Sequence, residues 1–313
     1  MKHITAMHRS LLSALALIAL SFTCAEAQNR RPIEGEDKVF VSRDIPYGDS
    51  GNPRQMLDLL LPKKRAKGKD SLPVMAYIHG GAFKGGNKRG GHRHLMKYVA
   101  SGEFVGVSIA YRLSGEAIWP AQIHDCKAAI RWIRGNAERY GLNPDRILVW
   151  GHSAGGHLSS MLGTSGDVAS LEGSVGPYDA LSSRVQAVLN YFGPSDFLQM
   201  DAHRMSNGLV HDDPQSPESL LMGGPIQEIP KFVATANPIT FASEDDPPFL
   251  SIHGLVDRLV PAHQSQILHR ALTTAGVESE LYLVEGGGHG GFKDPEVSKR
   301  ETAFMDAFSR QAD

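Results

Sequence analysis

The chain has little cysteine: two residues in 313, Cys24 and Cys126. Cys24 lies in a segment that reads as a removable leader, so the mature chain is expected to keep Cys126 alone and to hold no intrachain disulfide. Its stability must then come from a hydrophobic core. An excess of one charge is also lacking. Lys and Arg number 32, Asp and Glu 34, and the formal net charge is −2. Such a balance offers no basic field for nucleic acid. The strongest apolar run, residues 11–22, is too short for a permanent membrane span. Metal-ligand spacing is confined to His92-Arg93-His94, a weak pattern with no third ligand close by in sequence. A nucleic-acid binder, a stable membrane protein and a disulfide scaffold are thereby disfavoured, and no metal or cofactor is called for.

What is present begins with a targeting segment. Lys2, His3, His8 and Arg9 precede the short apolar stretch, and Ala25-Glu26-Ala27 offers a cleavage site before Gln28. Residues 1–27 are expected to be a signal peptide, and export to be secreted or periplasmic. A lipid anchor at Cys24 fits less well, because Phe22-Thr23 are not the small residues such a signal prefers. Hydrophobic residues make up 41% and charged residues 21%, which suits one α/β domain over 28–313.

The pattern along the chain is two strands, then strands alternating with helices. Strands are expected at 39–47, 55–61, 72–78, 104–111, 146–150, 185–191, 248–253 and 280–284. Helices are expected at 91–100, 120–140, 154–163, 262–275 and 294–308. The later strands are apolar throughout, as in a parallel sheet covered on both faces. The first two read as antiparallel. Pro120 suits the first turn of the long helix and Gly141 its stop. The pattern breaks after strand six. Residues 198–246 are rich in Pro, Gly, His and acid, with one short helix at 217–222, and are expected to form a small cap.

Three segments carry chemistry. Gly151-His152-Ser153-Ala154-Gly155 follows an apolar strand and opens a helix. A Gly-x-Ser-x-Gly at such a junction is a nucleophile elbow, a turn tight enough to strain the serine backbone and to need glycine on both sides. Tyr77-Ile78-His79-Gly80-Gly81-Ala82-Phe83 follows strand three, and a glycine-rich loop there can bring backbone N–H groups to a developing oxyanion. Asp257 follows strand seven and His289 follows strand eight, in the order Ser, Asp, His. Each lies past the C-terminal end of its strand, where parallel sheets place their sites. Ser153 is the expected nucleophile, His289 its base and Asp257 the orienting acid.

With these motifs the chain resembles the α/β-hydrolase carboxylesterases of the His-Gly-Gly type, near the BD-FAE-like and hormone-sensitive-lipase-like esterases. Tyr111-Arg112-Leu113, Asn143-Pro144-Asp145-Arg146-Ile147, Asp257-Arg258-Leu259-Val260-Pro261 and Gly288-His289-Gly290 add to the resemblance. Ala82 stands where the lipase-like loop has a third glycine, which leans toward the BD-FAE side. Val256 stands where many relatives carry an acid, leaving Asp257 the only carboxylate of its loop. The resemblance implies an α/β-hydrolase fold with a mostly parallel eight-stranded sheet, helices on both faces and a cap after strand six. It also implies oxyanion donors at Gly81, Ala82 and Ala154.

The remaining residues have blander readings. His79 is expected to order the oxyanion loop. His152 and His157 flank Ser153 but point elsewhere, His124 and Asp125 pair locally, and His203 and His211 lie at the surface of the cap. Asp196 is a rival acid in the wrong position. Phe83, Trp119, Tyr178 and Tyr191 are expected in the core. The combined reading is a secreted serine carboxylesterase acting on small-molecule or polysaccharide esters, acetyl or feruloyl by resemblance. An amide-cleaving relative would use the same three residues. A lipase would want a less polar cap, and a non-catalytic binding module would lack one of the three.

Overall fold

The structure is a computed structural model and describes residues 32–310; the signal peptide expected over 1–27 lies outside them. Eight strands form one sheet in the order β1-β2-β4-β3-β5-β6-β7-β8. They are β1 Val39–Pro46, β2 Met56–Pro62, β3 Leu72–Ile78, β4 Val105–Ile109, β5 Leu142–His152, β6 Ala187–Tyr191, β7 Phe249–Gly254 and β8 Ser279–Val284. β1 and β2 pair antiparallel, and β2 meets β4 antiparallel. β3 to β8 run parallel, joined by helical crossovers.

Successive side chains leave a strand on opposite faces, so the apolar strands feed two cores. Val74, Ala76 and Ile78 of β3 enter one core, and Met75 and Tyr77 enter the other. The first core packs against helices α2 Ala121–Gly135, α3 Ala154–Thr164 and α5 His263–Thr274 through Ile123, Leu158 and Leu268. The second packs against α1 Gly91–Ala100 and α6 Pro295–Arg310 through Leu95, Val99 and Phe308. A sheet with helices on both faces is the expected architecture.

The structure differs from the sequence pattern in three places. The long helix stops at Gly135. Asn136, at φ −113° and ψ 13°, separates it from a single turn, Ala137–Tyr140, and its amide donates back to the Trp132 carbonyl at 3.0 Å. Pro120 precedes that helix rather than opening it. β5 is longer than its apolar stretch and runs from Leu142, because buried Leu142 pairs with Leu72 ahead of a register shift, within which residues 143–146 lie, before Ile147 pairs with Val74. The segment after β6 holds a string of short helical turns, of which α4 Pro217–Met222 is the expected one. Proline and glycine explain the brevity. Ser216 caps α4, Gly223 ends it at φ 74°, and Pro225, Pro230 and Pro238 restart the chain.

Candidate active site

β5 delivers Ser153 to the C-terminal edge of the sheet, and α3 starts one residue later. Ser153 sits at φ 56° and ψ −123°, a conformation that costs an L-residue on the order of 1–3 kcal/mol. The flanking glycines have a steric reason. A Cβ on Gly151 would lie 2.1 Å from the Gly155 carbonyl oxygen, and one on Gly155 would lie 2.1 Å from that of Ile78. The Ser153 N–H donates to the Tyr191 carbonyl at 2.9 Å, which ties the elbow to β6.

The loop after β3 runs against the elbow. A Cβ on Gly80 would be 3.3 Å from Ser153 Cβ. Ala82 and Phe83 both take positive φ, 54° and 59°. The strain is held by His79 at the start of the loop and by Tyr111 from outside it. His79 Nδ1 donates to the Gly80 carbonyl at 2.8 Å, and its ring stacks on Tyr111 with centroids 4.4 Å apart. The Tyr111 hydroxyl in turn donates to the His79 carbonyl at 2.9 Å. Arg112, the next residue, grips buried Asp125 through Nε and Nη2 at 2.8 Å each. Asp125 therefore pairs across the fold, not locally, and the Tyr-Arg-Leu motif anchors the loop. Ala82 and Ala154 border the same cavity as Ser153. Gly81 does not border it; its carbonyl accepts from Lys84 and Gly85 at 3.1 and 2.9 Å.

Asp257 and His289 meet. His289 Nδ1 donates to Asp257 Oδ2 at 2.7 Å. Asp257 Oδ1 accepts from the N–H groups of Leu259 and Val260 at 2.7 and 3.0 Å. A second imidazole stands on the same carboxylate: His253 Nε2 lies 3.3 Å from Oδ2 and donates to the Val260 carbonyl at 2.9 Å. Burial alone would raise the Asp257 pKa, but hydrogen bonds from His253 and His289 outweigh it and hold the carboxyl well below the usual range. It is therefore ionised whenever the imidazole needs a counter-charge. Ser153 Oγ and His289 Nε2 have no hydrogen-bond partner among the described residues, so the Ser–His contact is open here. Such contacts often tighten only around substrate. Phe192 packs on the His289 ring at 4.5 Å between centroids.

A cavity of about 540 Å³ opens at Ser153. Phe83 walls its reactive end, Leu209 and Val210 come from the segment after β6, and Leu259 and Val260 come from the Asp257 loop. Phe83 is thus both core and pocket wall. Sequence reasoning missed the roles of Leu209, Val210 and His253. His253 stands at the end of β7, and only its spacing of four from Asp257 signals more. His211 is a correction: it is buried, borders the cavity and bonds Glu218 Oε2 through Nδ1 at 3.0 Å. His203, by contrast, is exposed and stacks on His263. Asp196 caps a helical turn by accepting from Leu198 N at 3.1 Å. His92 bonds Asp58 at 2.8 Å while His94 stacks on Tyr77, so the two do not converge.

The neighbouring histidines turn away from Ser153. His152 Nδ1 meets the Tyr77 hydroxyl at 3.0 Å, and His157 Nδ1 donates to the Pro194 carbonyl at 3.0 Å. Burial pushes His79 and His157 each down to about 4, against the raising effect of their carbonyl partners. Both rings are neutral in the fold at neutral pH, whereas in the unfolded chain they titrate near 6.5. Between pH 6.5 and 4 the unfolded state therefore binds more protons, and stability falls as pH is lowered through that window. The expected loss is roughly 3 kcal/mol per histidine. Urea midpoints at pH 7 and 4.5 measure it, and His157→Gln is expected to make the fall shallower without abolishing it, because burial also lowers His79, His94 and His152. A midpoint independent of pH would contradict this assignment.

The BD-FAE family model matches residues 57–272. The chain is 32% identical over 263 residues to Esterase LipQ of Mycobacterium tuberculosis, covering 83% of this chain and 60% of that protein. It is 35% identical over 226 residues to the probable carboxylic ester hydrolase LipM of the same organism, covering 71% and 49%. It thus spans roughly half to three-fifths of these curated relatives. Among solved structures, a truncated form of a carbohydrate esterase from gut microbiota matches with TM-score 0.80 and 35% identity, covering 88% of this chain and 99% of that one. The bifunctional GH43-CE of Bacteroides eggerthii matches with TM-score 0.77 and 37% identity, covering 86% and 35%.

Proposed function

The chain belongs to the BD-FAE family of α/β-hydrolase proteins, and from that premise we propose that it is a serine carboxylesterase that removes short acyl groups, acetyl or feruloyl, from carbohydrate. The observation that carries the reading is the 2.7 Å bond from His289 to Asp257 beside a serine held at positive φ on its elbow. The carbohydrate esterases among its structural neighbours support the substrate class.

The chemistry follows from the residues. Ser153 Oγ attacks the ester carbonyl carbon, and its proton passes to His289 Nε2. Asp257 fixes the tautomer with Nδ1–H toward itself and stabilises the imidazolium that forms. The carbonyl oxygen becomes an oxyanion facing the N–H groups of the Ala82 and Ala154 turns, with Gly81 a third donor by resemblance. The tetrahedral intermediate collapses, the bond between the acyl carbon and the alkoxy oxygen breaks, and His289 returns the proton to that oxygen as the alcohol leaves. Water then attacks the acyl-serine, gives its proton to His289, and the carboxylic acid departs with Ser153 restored. The apolar cavity at Ser153 receives the acyl group.

Export is part of the proposal: the leader over 1–27 and cleavage after Ala27 would bring the enzyme to extracellular or periplasmic polysaccharide. Among the described residues no helix is long and apolar enough to cross a membrane. Acetate release from acetylated xylan by the purified mature protein tests the substrate class. Release is expected from the wild type and not from Ser153→Ala. Cleavage of aryl acetates without release from xylan would sink the xylan assignment.

A further inference from the structure

Two cavities meet the reactive centre from different sides, and they have different chemistry. The one at Ser153 is bounded by the oxyanion turns and apolar side chains. The other, of about 590 Å³, is bordered by His289, Phe192 and Phe292 at its reactive end. Because His289 returns the proton to the leaving oxygen, the alcohol half of the ester must lie against His289. The second cavity is the one that imidazole borders. It shares Tyr77, Arg93 and His94 with a further cavity of about 630 Å³ that reaches Gly80 of the oxyanion loop. Together they form a trough running away from the reactive centre across α1.

The floor of the trough is aromatic. Tyr77 and His94 stack with centroids 4.8 Å apart at 10°, and Trp150 meets Tyr77 edge-on at 5.7 Å. Tyr77 and Trp150 are themselves buried, so the half-exposed rings bordering the trough, His94 and Phe292, are the ones that can receive the C–H face of a sugar. The charge is uneven. Arg93 borders both cavities and has no hydrogen bond or ion pair among the described residues. The Arg89 guanidinium, farther along, has none either. Among the described residues the one acid bordering the trough is Glu301, and it is already matched: Lys97 Nζ donates to it at 3.0 Å, the Tyr191 hydroxyl at 2.6 Å, and the Tyr98 hydroxyl as well. In a chain of net charge −2, a trough with two unpaired guanidinium groups and a neutralised carboxylate is a local positive field. A neutral glycan would leave both guanidinium groups unused.

We propose that this trough is the leaving-group subsite and that Arg93 selects an acidic saccharide, one carrying a carboxylate or sulfate near the esterified sugar. A planar guanidinium matches either anion with two parallel hydrogen bonds. The proposal rests on the esterase reading above and deepens it to the substrate's alcohol half.

The test uses product-like competitors. Inhibition of 4-nitrophenyl acetate hydrolysis by the mature protein is measured with a neutral xylo-oligosaccharide, a uronate-bearing one and a sulfated one of equal length. At least one acidic competitor is expected to bind about ten-fold tighter than the neutral one, and added salt to weaken that preference. Which acidic competitor wins tells carboxylate from sulfate. Arg93→Gln is expected to raise the inhibition constant of the acidic competitor about ten-fold and that of the neutral one by no more than about two-fold. Equal binding of neutral and acidic sugars, or a preference that survives Arg93→Gln, would overturn the proposal. If 4-nitrophenyl acetate is not cleaved at all, the esterase reading fails instead, and calorimetry with the same three oligosaccharides still decides on the trough.

Discussion

Ser153→Ala is expected to lower kcat on 4-nitrophenyl acetate by about ten-thousand-fold or more, with the fold and thermal midpoint preserved. The size follows from the arrangement. Without Oγ there is no covalent intermediate, and His289 and Asp257 have no nucleophile to activate. What remains is water attack on a carbonyl held by the oxyanion turns, and such a site retains only the residual rate of binding and oxyanion stabilisation. The backbone change is small: alanine keeps the Cβ beside which Gly80, having none of its own, leaves room. Alanine at φ 56° is as strained as serine, so stability moves little. Initial rates, with circular dichroism to confirm folding, check it. A variant with more than about a tenth of wild-type activity would remove Ser153 from the chemistry.

Asp257→Asn is expected to cost about a thousand- to ten-thousand-fold in kcat. The isosteric amide can keep the contacts of Oδ1 with the Leu259 and Val260 N–H groups, so the loop itself has a reason to stay in place. The loss is electrostatic and tautomeric. An amide N–H aimed at His289 would favour the tautomer with its proton on Nε2, the wrong nitrogen for a base, and no carboxylate would stabilise the imidazolium. His253 adds to this, because its ring stands 3.3 Å from the same oxygen and loses its anionic neighbour too. The folded-state pKa of Asp257 is depressed, so its stabilising contribution is present above about pH 4 and lost as pH falls through the folded value. At pH 7 the variant is therefore expected to be less stable by a few kcal/mol as well as slower. Steady-state rates and urea midpoints measure the two effects. Near-wild-type kcat would show that another acid orients His289.

Much of this site is legible in the chain because its parts are local. The elbow is five consecutive residues, and its glycines report steric contacts with Gly155 and Ile78 that no side chain could share. The apolar strands β3 and β5 mark themselves because both faces are buried. Asp257 and His289 are found by their position after strands, and the fold brings them to 2.7 Å. The less legible parts are set by contacts distant in sequence. His253 was hidden inside an apolar strand. His211 reads as a surface residue because its partner Glu218 and its burial arise only when the short turns after β6 fold together. Asp125 pairs with Arg112 across thirteen residues rather than with its helix neighbour His124. The break at Asn136 is not legible in sequence because asparagine also occurs within helices, and here its amide bonds the preceding turn and Tyr178.

The most direct test of the central claim is to treat the purified protein with a fluorophosphonate and to map the adduct by peptide mass spectrometry. The account predicts one adduct, on Ser153, formed in step with loss of esterase activity and greatly slowed in Asp257→Asn. No adduct, or an adduct on another residue with Ser153 unmodified, would contradict it.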